Sequence, residues 1–232
     1  MNELEITYHG HSCVQVSYED KSIIIDPFLT GNSLAVARPE DIHVQYVLLT
    51  HAHSDHIADA VTIAKQNNAT VIATHELATY MGWQGVNTHG MNIGGAYSFE
   101  FGRVKMTQAF HSSSIVLEDE QRIVYAGMPG GFLVTINGKT LYHVGDTGLF
   151  SDLKLIGDRN SIDIAFVPIG DNFTMGPEDA LQAAEWIHAG VTVPVHYDTF
   201  PPIRQDADAF VGALEAKNLK GLALKAGEKV KI

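Results

Sequence analysis

The chain has 232 residues, 45% of them hydrophobic and 18% charged, which suits one large α/β domain or two small ones. Its formal net charge of −12, with no run of Lys or Arg, argues against non-specific binding to a nucleic-acid backbone. One cysteine excludes an internal disulfide and fits a reducing compartment.

The N-terminal segment predicts three consecutive strands at residues 5–8, 13–18 and 22–26. Val14 and Val16 alternate with polar residues, which is typical of a half-buried antiparallel strand. The sequence HGHS at residues 9–12 interrupts the first two strands. Its glycine between two histidines indicates a bulge or a tight corner.

The sequence THAHSDHIA at residues 50–58 is the most informative stretch of the chain. An apolar strand is predicted before it, at 45–49, and a helix after it, at 57–65. Imidazole and carboxylate groups suit zinc and neighbouring divalent metals, and their crowding indicates two adjacent ions. Ser54 or Asp55 could cap the helix. The alternative to a metal site is that Asp55 is the helix cap and the histidines are solvated loop residues. Four potential ligands fall within six residues: His51, His53, Asp55 and His56.

The next region predicts a strand at 70–73, a helix at 75–80 ended by Gly82, and a hairpin of residues 96–101 and 103–110 around Gly102. His111 lies at the exit of that hairpin. A second hairpin, 131–136 and 139–144, surrounds Asn137-Gly138, a strong turn signal, and leads to Asp146.

The C-terminal part alternates predicted strands and helices. His196 directly follows the strand at 192–195, so each candidate ligand outside the histidine-rich turn follows a strand. The pattern predicts one domain of two packed sheets with helices outside. The other predicted elements are strands at 123–126, 162–168 and 219–226 and helices at 177–188 and 206–217.

The motif HAHSDH together with His111, Asp146 and His196 resembles the metallo-β-lactamase superfamily of metal-dependent hydrolases. Longer stretches resemble an uncharacterised bacterial and archaeal hydrolase family, similar to ascorbate-6-phosphate lactonases and to the N-acyl-phosphatidylethanolamine phospholipase D branch. These stretches are YHGHSC, DPFLTGN, TLYHVGDTGLF, PIGDNFTMGPEDA and PVHYDTFP. The resemblance implies a four-layer αββα sandwich, with two mixed sheets flanked by helices, as a single domain over residues 1–232.

The resemblance also implies a site for two divalent metal ions, with Zn²⁺ as first choice and Mn²⁺, Ni²⁺ or Fe²⁺ as alternatives. Two such ions generate a nucleophile at neutral pH and polarise the reacting oxygen. Asp55, Asp146 and His11 are the candidate catalytic residues. The implied ligands are His51, His53 and His111 for one ion and Asp55, His56 and His196 for the other, with Asp146 bridging both.

Several residues near the motif keep two interpretations. Asp26 either supports a ligand histidine or is a turn residue before Pro27. His9 and His11 either line the pocket, where they could contact substrate or donate a proton, or hydrogen-bond to backbone. His143 is structural or pocket-lining, and residues 172–174 form a pocket wall or a connecting loop. Cys13 is predicted to be a small buried hydrophobe.

The leading functional hypothesis is a metal-dependent hydrolase that acts on an ester-type bond, phosphodiester or lactone, of a small molecule. The alternatives are an RNA-processing nuclease of the same superfamily, which the acidic balance disfavours, and a non-catalytic metal-binding module, which the complete ligand set disfavours. The N-terminus shows no secretory signal, and no apolar run approaches the roughly 18 residues of a membrane span, so we expect cytoplasmic residence. Homo-oligomers are common among small enzymes of this kind, and the sequence leaves that point open.

Overall fold

The computed structural model describes residues 3–232, which form two large β-sheets packed face to face. The first sheet has seven strands in the order β15-β1-β2-β3-β4-β5-β6. Strands β15 to β3 are antiparallel, whereas β3 to β6 are parallel. The strands are β1 (Glu5–Gly10), β2 (Cys13–Tyr18), β3 (Lys21–Ile25), β4 (Tyr46–Leu48), β5 (Thr70–Thr74), β6 (Asn87–Met91) and β15 (Lys229–Lys231).

The second sheet has six strands in the order β14-β13-β12-β11-β8-β7 and is also mixed. Its strands are β7 (Ala96–Phe99), β8 (Gly102–Gln108), β11 (Gly130–Ile136), β12 (Lys139–His143), β13 (Ile164–Pro168) and β14 (Val191–Val195). Between β8 and β11 in the chain, β9 (Ser114–Leu117) and β10 (Arg122–Tyr125) form a separate two-stranded hairpin.

Helices cover the outer face of each sheet, so the four layers follow the order α, β, β, α. Strand alternation creates this layering: Ile23 and Ile25 pack between the sheets, whereas Ile24 packs under the helices. Helices α2 and α3 cover the first sheet, and α4, α5 and α6 cover the second. The helices are α1 (Ser54–Ile57), α2 (Ala60–Asn67), α3 (His75–Trp83), α4 (Asp152–Arg159), α5 (Pro177–Ile187) and α6 (Ala207–Ala216).

The predicted αββα class is therefore confirmed, but some predicted elements are wrong. The helix expected at 57–65 forms as α2 but begins at Ala60, and Ile57 ends the separate short helix α1. Between the two helices, the Asp59 carboxylate accepts from the Leu29 and Thr30 backbone N–H groups, at 2.7 and 2.8 Å. Neither Ser54 nor Asp55 caps α1, whose N-cap is His53. Gly82 lies inside α3 rather than ending it.

The strand expected at 219–226 is also wrong. Only an isolated bridge joins Gly221 to Thr192, and the final strand forms later, at β15. Gly227 has a φ of +89° and donates its N–H to Tyr8 O, so the chain turns there and pairs with β1 instead.

The helices of residues 3–232 are short. The longest, α5, has 11 residues, and none in this part of the chain combines the length and the apolar character needed to cross a bilayer.

Candidate metal centre

The candidate ligands converge because the elements that carry them end at one side of the molecule. His51 follows β4, while His111, Asp146 and His196 follow β8, β12 and β14 of the second sheet. Strands β8, β12 and β14 run in the same direction, so their carboxyl ends share one sheet edge. The predicted meeting of these distant segments is what the structure shows.

Three histidines form what we call the first group: His51, His53 and His111. One ring nitrogen from each lies within 4.8 Å of the others. His53 Nδ1 is 3.0 Å from His51 Nε2 and 3.2 Å from His111 Nε2. This set matches the three histidines expected on one ion.

A second group contains His11, Asp55, His56 and His196, again with one ligand atom from each within 4.8 Å of the others. Asp55 Oδ2 lies 3.1 Å from His11 Nε2 and 3.7 Å from His196 Nε2. The sequence indicated three of these residues as ligands and left His11 either as a pocket-lining residue or as one that hydrogen-bonds to backbone. The structure buries His11 fully, behind Asp55.

Asp146 lies between the two groups. Its Oδ2 is 2.9 Å from His196 Nε2 and 3.3 Å from His56 Nε2, on the side of the second group. The same oxygen is 3.7 Å from His111 Nε2 and 3.9 Å from His51 Nε2, on the side of the first group. A single carboxylate oxygen thus faces four imidazoles.

Asp26 directly follows β3 and holds residues of the cluster in place through hydrogen bonds. Its carboxylate accepts from the Thr50 N–H at 2.8 Å and from the Thr50 hydroxyl at 2.6 Å. It also lies 2.9 Å from His56 Nδ1, so it fixes that ring. The Thr50 hydroxyl is 3.0 Å from His51 Nδ1 as well, which extends the network to the first group.

Three non-glycine residues at the centre have left-handed backbone conformations: His11, Asp26 and His196, with φ of 56°, 47° and 56°. Such conformations are uncommon for residues with a Cβ and collect at functional sites. At His11 the cause is the predicted irregularity of residues 9–12, where the β1–β2 register shifts between Tyr8 and Gly10.

The electrostatics of the cluster couple imidazoles to carboxylates. Burial lowers the pKa of His11 to about 4, and it also lowers the pKa of His51, so both rings are neutral at pH 7. Burial opposes charge on His196, yet Asp146 and Asp55 outweigh it and raise its pKa to about 9. Despite burial, the surrounding histidines hold the pKa of Asp146 well below its usual range.

These residues fit a metal ion. Within residues 3–232, three buried side-chain atoms of the candidate ligands make no hydrogen bond: His56 Nε2, Asp146 Oδ1 and His196 Nδ1. Buried polar atoms are normally satisfied, so unpaired atoms need an explanation. Imidazole nitrogen and carboxylate oxygen are the ligands of zinc and related divalent metals, and a cation here would take the place of the protons that Asp146 draws onto His56 and His196.

The other residues singled out in the sequence lie around or outside this cluster. His9 hydrogen-bonds to Gln15 and His143 to the Ser12 carbonyl, so neither belongs to the groups above. Of residues 172–174, Phe173 lines the cleft beside the centre. Cys13 is buried, and burial raises the pKa of its thiol.

Sequence reasoning missed two polar residues that hold the cluster. Thr50 links Asp26 to His51, and Thr199 accepts from or donates to His11 Nδ1 at 2.9 Å. Both lie within quoted stretches, since Thr50 begins THAHSDHIA and Thr199 belongs to PVHYDTFP, three positions after His196. The position of each threonine close to a candidate ligand in the sequence was therefore the signal that could have identified it.

Comparison with known proteins identifies the family of this chain. A model of the beta-lactamase superfamily domain matches residues 21–197. The chain belongs to the metallo-β-lactamase superfamily. It is 59% identical over 229 residues to a UPF0173 metal-dependent hydrolase of Geobacillus sp. (strain WCH70), with 99% of this chain and 100% of that relative covered. It is 56% identical to the UPF0173 metal-dependent hydrolase YtkL of Bacillus subtilis, with 99% and 100% covered.

Among solved structures, Igni18, a metallo hydrolase of the archaeon Ignicoccus hospitalis, matches with a TM-score of 0.90 and 34% identity. The match covers 99% of this chain and 98% of Igni18. YhfI of Bacillus subtilis, at 16% identity and a TM-score of 0.72, shares the fold. The family and fold implied by the sequence motifs are confirmed, and the chain is a member of the UPF0173 group of metal-dependent hydrolases.

Proposed function

We propose that this chain is a single-domain hydrolase that uses two divalent metal ions, zinc in the first instance, to cleave an ester-type bond of a small molecule. The bond is that of a phosphodiester or a lactone. The observation that carries the proposal is the position of Asp146 Oδ2, within 3.9 Å of one nitrogen from each of His51, His56, His111 and His196. Such a carboxylate oxygen between two ligand groups suits a bridge between two ions.

In this proposal His51, His53 and His111 hold one ion, and Asp55, His56 and His196 hold the other, with Asp146 shared. Two bound cations supply a nucleophile at neutral pH and neutralise charge on the reacting oxygen. The chain's own residues hold these ligands in position. The low pKa of Asp55 and Asp146 keeps both carboxylates ionised, as ligation requires.

His11 is proposed to act through Asp55. Its Nε2 is 3.1 Å from Asp55 Oδ2, and its Nδ1 is 2.9 Å from the Thr199 hydroxyl. These two contacts fix the imidazole and, through it, the carboxylate. Because His11 is buried and its pKa of about 4 leaves it neutral at pH 7, it can donate a hydrogen bond to Asp55 without adding charge.

The test pairs elemental analysis of purified protein with turnover of bis-p-nitrophenyl phosphate and of a lactone panel under zinc, manganese and nickel. We expect about two metal ions per chain and metal-dependent turnover of one of the two substrate classes. His43→Ala, which changes an exposed histidine outside the cluster, should leave both unchanged.

Two results would contradict the proposal. Protein that holds two ions per chain yet hydrolyses no ester would be a metal-binding module. Tight binding of tRNA that weakens steeply with salt, without turnover of small esters, would favour the alternative of an RNA-processing nuclease.

A further inference from the structure

The cleft beside the metal centre combines ligand residues with an apolar wall. It has a volume of about 810 Å³, and His53, Asp55 and His111 are among its lining residues. Helices α1, α2 and α3 and strand β9 contribute the wall, so residues from four elements face one space. Six apolar residues form it: Ile57, Val61, Tyr80, Met81, Ile115 and Val116.

Packing of the protein core does not account for all of this wall. In β9, Ile115 packs into the core, and strand alternation turns the next residue, Val116, outward, where it is 54% exposed. Its cross-strand partner Ile123 is 72% exposed. Exposed apolar side chains that adjoin a polar functional site are typical of a ligand groove.

The charges of the cleft restrict the ligand further. Among the lining residues of the described chain there is no Lys or Arg, and outside the proposed ligand set the charged side chain present is Glu118. The whole chain carries a net charge of −12. Beyond the two cations of the proposed centre, an anionic group along the wall would therefore meet no cationic side chain, whereas an uncharged group loses nothing by that absence.

We infer that the substrate is an uncharged carboxylic ester or lactone whose hydrocarbon part binds along this apolar wall. This inference rests on the proposed hydrolase function and narrows it. In the reaction the oxygen of water bonds to the carbonyl carbon and the bond from that carbon to the leaving oxygen breaks. One proton of water goes to the leaving alcohol, and the carboxylic acid product releases the other.

The test is the dependence of kcat/KM on chain length for p-nitrophenyl acetate, butyrate and hexanoate, with zinc-loaded protein. Burial of a methylene contributes about 0.8 kcal/mol, so each added CH₂ should raise kcat/KM about fourfold until the wall is covered. Val116→Ser should flatten this gradient, with a larger loss of kcat/KM for the hexanoate than for the acetate. The matched control is Leu155→Ser, which changes a residue of similar exposure, 53%, on α4 and away from the cleft.

A binding measurement separates failure of this inference from failure of the hydrolase proposal. Calorimetry with propanamide, butanamide and hexanamide, neutral and slowly hydrolysed, should show the same fourfold gradient in Kd. A gradient in Kd without turnover of any ester would overturn the hydrolase proposal but retain the apolar subsite. If neither kcat/KM nor Kd depends on chain length, the inference is overturned. The same holds if kcat/KM depends on chain length only for alkyl p-nitrophenyl phosphodiesters. A change in oligomeric mass on Val116→Ser with the gradient intact would also overturn it and would make this face an interface between copies.

Discussion

The two ligand groups of the metal centre differ in how the protein holds them. In the second group, His56 Nδ1 is 2.9 Å from the buried carboxylate of Asp26, and His11 Nδ1 is 2.9 Å from Thr199. In the first group, His53 and His111 are partly exposed and line the cleft. The second nitrogen of His53 is 3.3 Å from the exposed Ser112 hydroxyl.

This difference predicts unequal retention of the two ions. Ligands that outer hydrogen bonds already orient lose less freedom on binding a metal, and removal of such bonds weakens affinity about 10- to 100-fold. We therefore expect the second group to keep its ion against a chelator longer than the first. Thr50 connects the groups, because its hydroxyl contacts both Asp26 and His51.

The largest expected effect is that of Asp146→Ala, which removes the oxygen shared by both groups. The ion of the second group should be lost on dialysis, and kcat/KM should fall by more than about 100-fold, beyond the effect of an outer partner. Elemental analysis and turnover of the ester class that the wild-type protein hydrolyses measure the two effects. Retained turnover would remove the bridging role of Asp146.

Asp26→Asn should have the next largest effect and should act on the second group. The amide oxygen would remain with the Thr50 N–H, which leaves the NH₂ group facing His56 Nδ1. His56 would then carry its proton on Nε2, the atom needed for the ion, and affinity should fall about 10- to 100-fold. Competition with a fluorescent chelator measures this change.

Asp163→Asn is the matched control for that variant. Asp163 also accepts a backbone N–H, that of Thr140 at 2.8 Å, but its other partner is Lys139 rather than a histidine. The Asp163→Asn variant should therefore leave metal affinity unchanged. Equal losses in both variants would mean that Asp26 acts through general stability, and the contrast between the groups would lose its basis.

Short-range patterns predicted two packed sheets with helices outside, and the resemblance to a known family implied the αββα sandwich and the ligands that converge. Apolar alternation located β2, and Asn137-Gly138 located the β11–β12 hairpin, in which both residues have positive φ. His111 and His196 each follow a strand, and chain direction then brings strand ends together.

What the sequence could not predict depends on contacts between distant segments. Thr199 meets His11 across 188 positions, and no local pattern encodes that pair. Likewise, β15 forms only because Gly227 turns the chain back to β1. At the break between α1 and α2, Asp59 binds a loop 30 residues earlier, a contact that the local helical pattern does not encode.

Thr50→Val tests the link between the groups and should have a smaller effect than Asp26→Asn. The backbone N–H of residue 50 still reaches Asp26, but His51 Nδ1 loses its hydroxyl partner. We expect affinity for the ion of the first group to fall by about tenfold, which is the lower end of the range for the loss of a hydrogen-bond partner of a metal ligand. Stepwise metal titration measures it, and Thr50→Ser should restore the wild-type value. Failure of Ser to restore it would show that the methyl group, not the hydroxyl, matters.

The smallest expected effect is that of Ser112→Ala, which removes the partner of His53 Nε2. Ser112 is exposed, so water can replace its hydroxyl as a hydrogen-bond partner of the ring. Metal affinity in the same titration should change by less than about threefold, as in the control Ser151→Ala on an exposed turn. A loss of metal affinity as large as that of Asp26→Asn would mean that the exposed Ser112 hydroxyl orients His53 as firmly as the buried Asp26 carboxylate orients His56. The first group would then depend on its outer hydrogen bonds as strongly as the second group does.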